Sequence, residues 1–114
     1  ANVVESMKII GDVKGKNVII LDDMVDTAGT ITKAADLMIE NGALSVRAFA
    51  SHGVLSDPAT ERIEKSKLTA IYFTDSIPLK KESEKIKVLS VAELIANTII
   101  NVNTNKSISS SYLV

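Results

Sequence analysis

Apolar and polar positions along the chain switch between two periods. Val18-Ile19-Ile20-Leu21 is a continuous apolar run and reads as a buried strand over Asn17 to Leu21. Gly11-Asp12-Val13-Lys14-Gly15-Lys16 forms the turn ahead of it. From about Thr30 to Asn41 the spacing becomes helical. Ile31, Ala35 and Met38 share one face, with Ala34 and Leu37 beside them, and Gly42 stands at the helix C′ position. Ser45 to Ala50 predicts a second strand, closed by the loop Ser51-His52-Gly53. Asp57 and Pro58 predict the N-cap and first position of a short helix that contains Ile63. Leu68 to Phe73 reads as a third strand ended by Thr74-Asp75-Ser76. The Lys- and Glu-rich run from Lys80 to Lys87 connects it to a short fourth strand, Ile86 to Leu89. Ser90 and Glu93 have the spacing of a capping box for a last helix over Val91 to Ile100. Residues 101–114 form a polar tail, Ser- and Asn-rich to Ser111 and so mobile by composition, that ends on Tyr112-Leu113-Val114. No internal repeat is visible.

Strands alternating with helices predict an α/β fold, a parallel sheet flanked by helices with right-handed crossovers. In such a sheet the loops after the first three strands open on one edge, where ligands of α/β sheets bind.

The loop after the first strand carries the most chemistry. Asp22 and Asp23 stand where the strand should end. Asp26-Thr27-Ala28-Gly29-Thr30 follows and opens the helix. Ala28 and Gly29 allow the backbone to approach a ligand, Thr27 and Thr30 add hydroxyls, and a helix N-terminus attracts anions. The loop contains no Lys, so a phosphate there would be held by N–H and O–H groups. Asp22, Asp23 and Asp26 together form an acidic cluster suited to sugar hydroxyls or to magnesium. Two plainer readings stay open: one Asp caps a turn while the other is solvated, and Thr30 is simply an N-cap.

The remaining composition mostly excludes. The chain has 114 residues, a net charge of -1 and 24% charged residues, so it lacks the basic footprint of a nucleic-acid or membrane-surface binder. It has no cysteine, which removes disulfide, thiolate and zinc-thiolate chemistry and fits a cytoplasmic location. No apolar run reaches membrane-spanning length, and the start, Ala1-Asn2-Val3-Val4, has no signal-peptide form. The chain opens without an initiator Met, which predicts a processed, truncated or internal segment. There is no G-x-x-x-x-G-K-[ST] ahead of a helix and no G-x-G-x-x-G, so P-loop and Rossmann readings fail. The Asp-Thr-Ala-Gly-Thr segment does not fit a phospho-acceptor receiver domain. His52, the single histidine, reads as a hydrogen-bonded structural residue ahead of a base or metal ligand. Asp75 reads as a turn former.

Val18 to Thr30 resembles the phosphoribosyl-diphosphate (PRPP) motif of the type I phosphoribosyltransferase fold. Further segments narrow the resemblance. Gly11 to Lys16, Asn41-Gly42-Ala43, Ser51-His52-Gly53-Val54-Leu55-Ser56, Pro58-Ala59, Thr74-Asp75-Ser76-Ile77-Pro78 and Ser111-Tyr112-Leu113 together resemble the ribose-phosphate pyrophosphokinase (PRPP synthetase) family across the whole chain. The resemblance implies magnesium-dependent transfer of a diphosphoryl group from ATP to ribose 5-phosphate, giving PRPP and AMP for nucleotide biosynthesis. It implies that Asp22 and Asp23 hold the ribose hydroxyls, and that Asp26, Thr27, Ala28, Gly29 and Thr30 hold the 5-phosphate.

The family's members are much longer, with a pair of related domains. Their ATP pocket, metal-binding His and Asp, and mobile catalytic loop lie in an N-terminal part. Residues 1–114 therefore correspond to an incomplete C-terminal phosphoribosyltransferase-like domain, with an unpaired sheet edge. The resemblance implies no catalytic residue and no metal ligand within this chain, and an inactive fragment. It also implies a homo-oligomer, dimer to hexamer, and a phosphate/ADP regulatory site that would involve Ser109, Ser110 and Ser111. Val114 stands where the family usually has an aromatic residue. Two alternatives remain: a nucleobase phosphoribosyltransferase using PRPP, for which no base-binding hood is visible, and a non-catalytic regulatory relative.

Overall fold

The structure, a computed structural model, describes residues 6–111. Ala1 to Glu5 and the apolar end Tyr112 to Val114 lie outside the described residues. Four parallel strands lie in the order β1-β2-β3-β4: β1 Asn17–Val25, β2 Ser45–Gly53, β3 Ala70–Thr74 and β4 Ile86–Leu89. Helix α1 (Gly29–Glu40) joins β1 to β2 and α2 (Ala59–Lys65) joins β2 to β3. A loop joins β3 to β4, and α3 (Ala92–Asn103) follows the sheet. The parallel α/β architecture is the one the alternating pattern predicts.

The core lies on one face of the sheet. Val46, Ala48 and Ala50 of β2 alternate inward and meet Ile71 and Phe73 of β3, Ile86 of β4, Ile31 and Ala35 of α1, and Ile63 of α2. Small alanines on the central strand let the helices approach closely. Ile19 and Leu21 of β1 point to the other face, and both are exposed. β1 pairs only with β2 among the described residues.

The C-terminus of α1 follows from sequence. Gly42 adopts φ 93°, and the N–H groups of Gly42 and Ala43 donate to the carbonyls of Ile39 and Met38 at 3.0 Å each. These two bonds make the Schellman closure expected of a glycine at C′. At the C-terminus of α2 the Lys85 ammonium donates to the carbonyls of Glu64 (3.0 Å) and Ser66 (2.8 Å), groups that the helix itself leaves unpaired.

Several boundaries differ from the sequence reading. β1 continues four residues past Leu21 and β2 three past Ala50, because the parallel ladder runs on through Met24↔His52 and Val25↔Gly53. Backbone pairing needs no apolar side chain, so the polar residues do not stop it. β3 starts at Ala70 instead of Leu68, although Leu68 is buried in the core. Asp57 does not cap α2. Pro58, after a cis peptide bond, occupies the cap position, and the Asp57 carboxylate pairs with Lys81 instead. α3 extends to Asn103, into the expected tail, and Ser109–Ser111 winds into a single 3-10 turn.

Candidate functional site

The loop between β1 and α1 is held from three sides. The Val25 carbonyl accepts the N–H groups of Val54 (3.0 Å) and Leu55 (3.3 Å), which ties the end of β1 to the segment after β2. Val25 and Ala28 are themselves buried. The Thr32 hydroxyl donates back to the Ala28 carbonyl at 2.6 Å and fixes the first turn of α1. From α2, Arg62 Nη1 donates to the Thr27 carbonyl at 3.1 Å.

Ala28 occupies the N-cap position of α1 in the left-handed conformation, φ 63° and ψ 14°. Any residue with a Cβ pays sterically for this geometry, by roughly 1–2 kcal/mol. A left-handed residue followed by right-handed helix turns successive N–H groups toward one concavity, the arrangement of an anion nest. No side chain caps the helix, and no acidic residue lies in its first turn. Among the described residues the N–H groups of Ala28, Gly29 and Thr30 meet no protein acceptor. The cap position is therefore Ala28, two residues before the Thr30 that a plain sequence reading allows.

These N–H groups border a cavity of about 330 Å³, lined by Asp22 and the run from Met24 to Ile31. It brings together six of the seven predicted site residues: Asp22, Asp26, Thr27, Ala28, Gly29 and Thr30. Asp23 does not line it. Strand alternation sends Asp22 to the face of Ile20 and Asp23 to the face of Leu21. The Asp22 carboxylate accepts the Asp23 N–H at 2.8 Å, which fixes its direction. A second, shallower depression of about 220 Å³ lies over the open face beside Leu21, Phe49, Tyr72 and Leu89. Asp22 borders this one as well, at the junction of the two.

The other two strand-end segments share the same edge but bond to each other. The Thr74 hydroxyl donates to the Ser51 carbonyl at 2.6 Å, and His52 Nδ1 lies 2.7 Å from the Ser76 hydroxyl. His52 thus has the hydrogen-bonded role read from sequence. Asp75 does more than form a turn. It accepts the Ser90 hydroxyl at 2.7 Å and the Val91 N–H at 3.0 Å, so it anchors the start of α3. Those two bonds hold its carboxyl below the usual carboxylate range, the Val91 N–H contributing most. Ser90, engaged with Asp75 and the Ala92 N–H, does not form the expected capping box. Ser109, Ser110 and Ser111 are exposed and line neither depression.

Sequence reasoning missed Arg62. It lies 35 residues from Thr27 along the chain, and nothing in its local pattern marks it. Among the described residues no three His, Asp or Glu side chains converge to hold a metal ion, so Asp22, Asp23 and Asp26 do not form a protein-only cage.

The family described as "Phosphoribosyl synthetase-associated domain" matches residues 2–114. The ribose-phosphate pyrophosphokinase of Porphyromonas gingivalis is 57% identical over 112 residues, covering 98% of this chain and 36% of that protein. That of Wolinella succinogenes is 54% identical over 113 residues, covering 99% and 37%. The crystal structure of phosphoribosylpyrophosphate synthetase from Mycobacterium smegmatis superposes with a TM-score of 0.84 at 43% identity, over 90% of this chain and 35% of that one. The chain spans little more than a third of the length of these relatives.

Proposed function

This chain belongs to the phosphoribosyl synthetase-associated domain family, and we propose that it supplies the ribose 5-phosphate half-site of a ribose-phosphate pyrophosphokinase. The observation that carries the proposal is one cavity holding both an anion nest and a carboxylate. The N–H groups of Ala28, Gly29 and Thr30 suit the 5-phosphate, and Asp22 beside them suits the sugar hydroxyls. Asp23, on the opposite face of β1, reaches a sugar only where the sugar lies across the sheet edge.

The chemistry follows from position. Transfer of a diphosphoryl group requires the sugar's C1 hydroxyl to be presented in line with the donor phosphate. Anchoring the far end of the sugar phosphate and its hydroxyls restricts that hydroxyl to a narrow set of directions. In this chain the nest holds the phosphate and Asp22 orients the ring. On this reading the ATP half-site lies outside these 114 residues. Magnesium fits the donor set as an ion with few protein ligands: Asp22 and Asp26 line one cavity, and the remaining positions suit water and substrate oxygens. Bound there, magnesium would neutralise phosphate charge. On the same reading the protein acts as a cytoplasmic homo-oligomer, and Ser109, Ser110 and Ser111 contribute to a regulatory phosphate or ADP site.

Calorimetric titration of the full-length protein with ribose 5-phosphate, in magnesium, tests the proposal. Asp22→Ala should weaken binding by about tenfold or more, the scale of a charge-assisted hydrogen bond. Asp12→Ala, in the turn before β1, should leave it unchanged. Equal affinity for Asp22→Ala and the unaltered protein would remove the sugar from this cavity.

A further inference from the structure

We infer that Arg62 is a positioning residue for the phosphate nest, acting through the Thr27–Ala28 peptide. The inference rests on the ribose 5-phosphate reading above and assigns a group outside the β1–α1 loop to it.

A trans peptide points its C=O and its N–H in opposite directions. Arg62 Nη1 holds the Thr27 carbonyl at 3.1 Å, on the α2 side of the loop. The N–H of Ala28 is thereby turned away from α2, toward the cavity. Released, this peptide can rotate and present its carbonyl oxygen to the cavity, where it would repel a phosphate. Left-handed Ala28 is the residue whose backbone would change, and its geometry is costly for a residue with a Cβ. Arg62 therefore opposes a relaxation that the loop would otherwise favour.

Two further observations fit this role. The guanidinium lies against Gly29, the first residue of α1, so closely that a Cβ there would come within 3.3 Å of Nη1. Among the described residues Arg62 forms no ion pair, so no carboxylate competes for it and its charge stands beside the nest. Arg62 is exposed, so shortening it leaves no hole in the core.

The test compares Arg62→Met, Arg62→Lys and Lys65→Met in the full-length protein. Lys65 shares the groove between α1 and α2 with Arg62 but makes no bond to the loop. Each variant is titrated with ribose 5-phosphate, and the Ala28 amide resonance is followed to saturation. Arg62→Met should bind about 10- to 30-fold more weakly, with an unchanged melting temperature. Its ligand-induced Ala28 shift should be smaller even when saturated, because part of the population holds the peptide reversed. Arg62→Lys should recover part of both, since a point charge lacks the planar fork. Lys65→Met should stay within about twofold, as expected of a distant screened charge.

Full-strength binding by Arg62→Met, or a full Ala28 shift at saturation, overturns the inference while the phosphate reading stands. An equal loss in Lys65→Met reduces the effect to charge at a distance and overturns it too. If the unaltered protein gives no Ala28 shift on saturation, the phosphate reading itself fails and the inference falls with it.

Discussion

Helices α1 and α3 are each twelve residues long and both are amphipathic, yet they sit in the molecule quite differently. α1 buries Ile31, Thr32 and Ala35 against the sheet. α3 buries nothing, and its Leu94, Ile95, Ile99, Ile100 and Val102 are all exposed. The contrast teaches that an apolar face predicts a helix but does not supply its partner. For α1 the partner is β2, a neighbour in the sheet. For α3 the described residues contain no partner, and only the Asp75 contacts tie its first turn to the sheet. The open sheet face of Ile19 and Leu21 repeats the lesson, since parallel sheets are ordinarily covered on both sides. On the sugar-phosphate reading proposed above, the consequence lies with α1. A helix fixed along its length can hold its N-terminus in one direction, and the anion nest depends on that.

Truncating one apolar side chain in each helix separates α1 from α3 most sharply. Ile31→Ala in α1 should cost about 2–4 kcal/mol of stability. Ile99→Ala in α3 should stay within about 0.5 kcal/mol. Urea midpoints measured on both variants check this, and equal costs would mean that α3 is packed against something in solution. Lys85→Met comes next: removing the cation at the end of α2 should cost about 1 kcal/mol by the same measurement.

The smallest expected effect concerns the Asp75 anchor. Its carboxyl titrates below the ordinary aspartate value in the folded chain, so the anchor is fully present above that ordinary value, about 3.9. It is lost as pH falls through the lower folded value. The amide resonance of Val91 should follow this titration, with a midpoint below that of an exposed aspartate. A midpoint at or above the ordinary value would show that α3 is not held by Asp75.

How much of this was legible in the sequence depends on distance along the chain. The order of strands and helices and the Gly42 closure are local patterns, and they read correctly. The run from Asp22 to Thr30 is equally local, and the structure gathers its predicted residues, Asp23 apart, around one cavity. Strand ends were misjudged because polar residues such as Asp22 and His52 pair through their backbone as readily as valines do. The split between Asp22 and Asp23 follows from period-2 alternation, but only the structure shows which of the two faces the cavity. Ser90 and Glu93 have a capping-box spacing that Asp75, fifteen residues earlier, overrides. Arg62 is the clearest case of illegibility. Its role depends on α2 lying beside the start of α1, and no spacing rule encodes that neighbour.

The central claim is that the start of α1 holds the phosphate of a sugar phosphate. The most direct measurement is the set of backbone amide shifts of the full-length protein during titration with ribose 5-phosphate. The account predicts that the largest shifts fall on Ala28, Gly29 and Thr30, with smaller ones at Asp22. Saturable binding that leaves these three amides unmoved would contradict it.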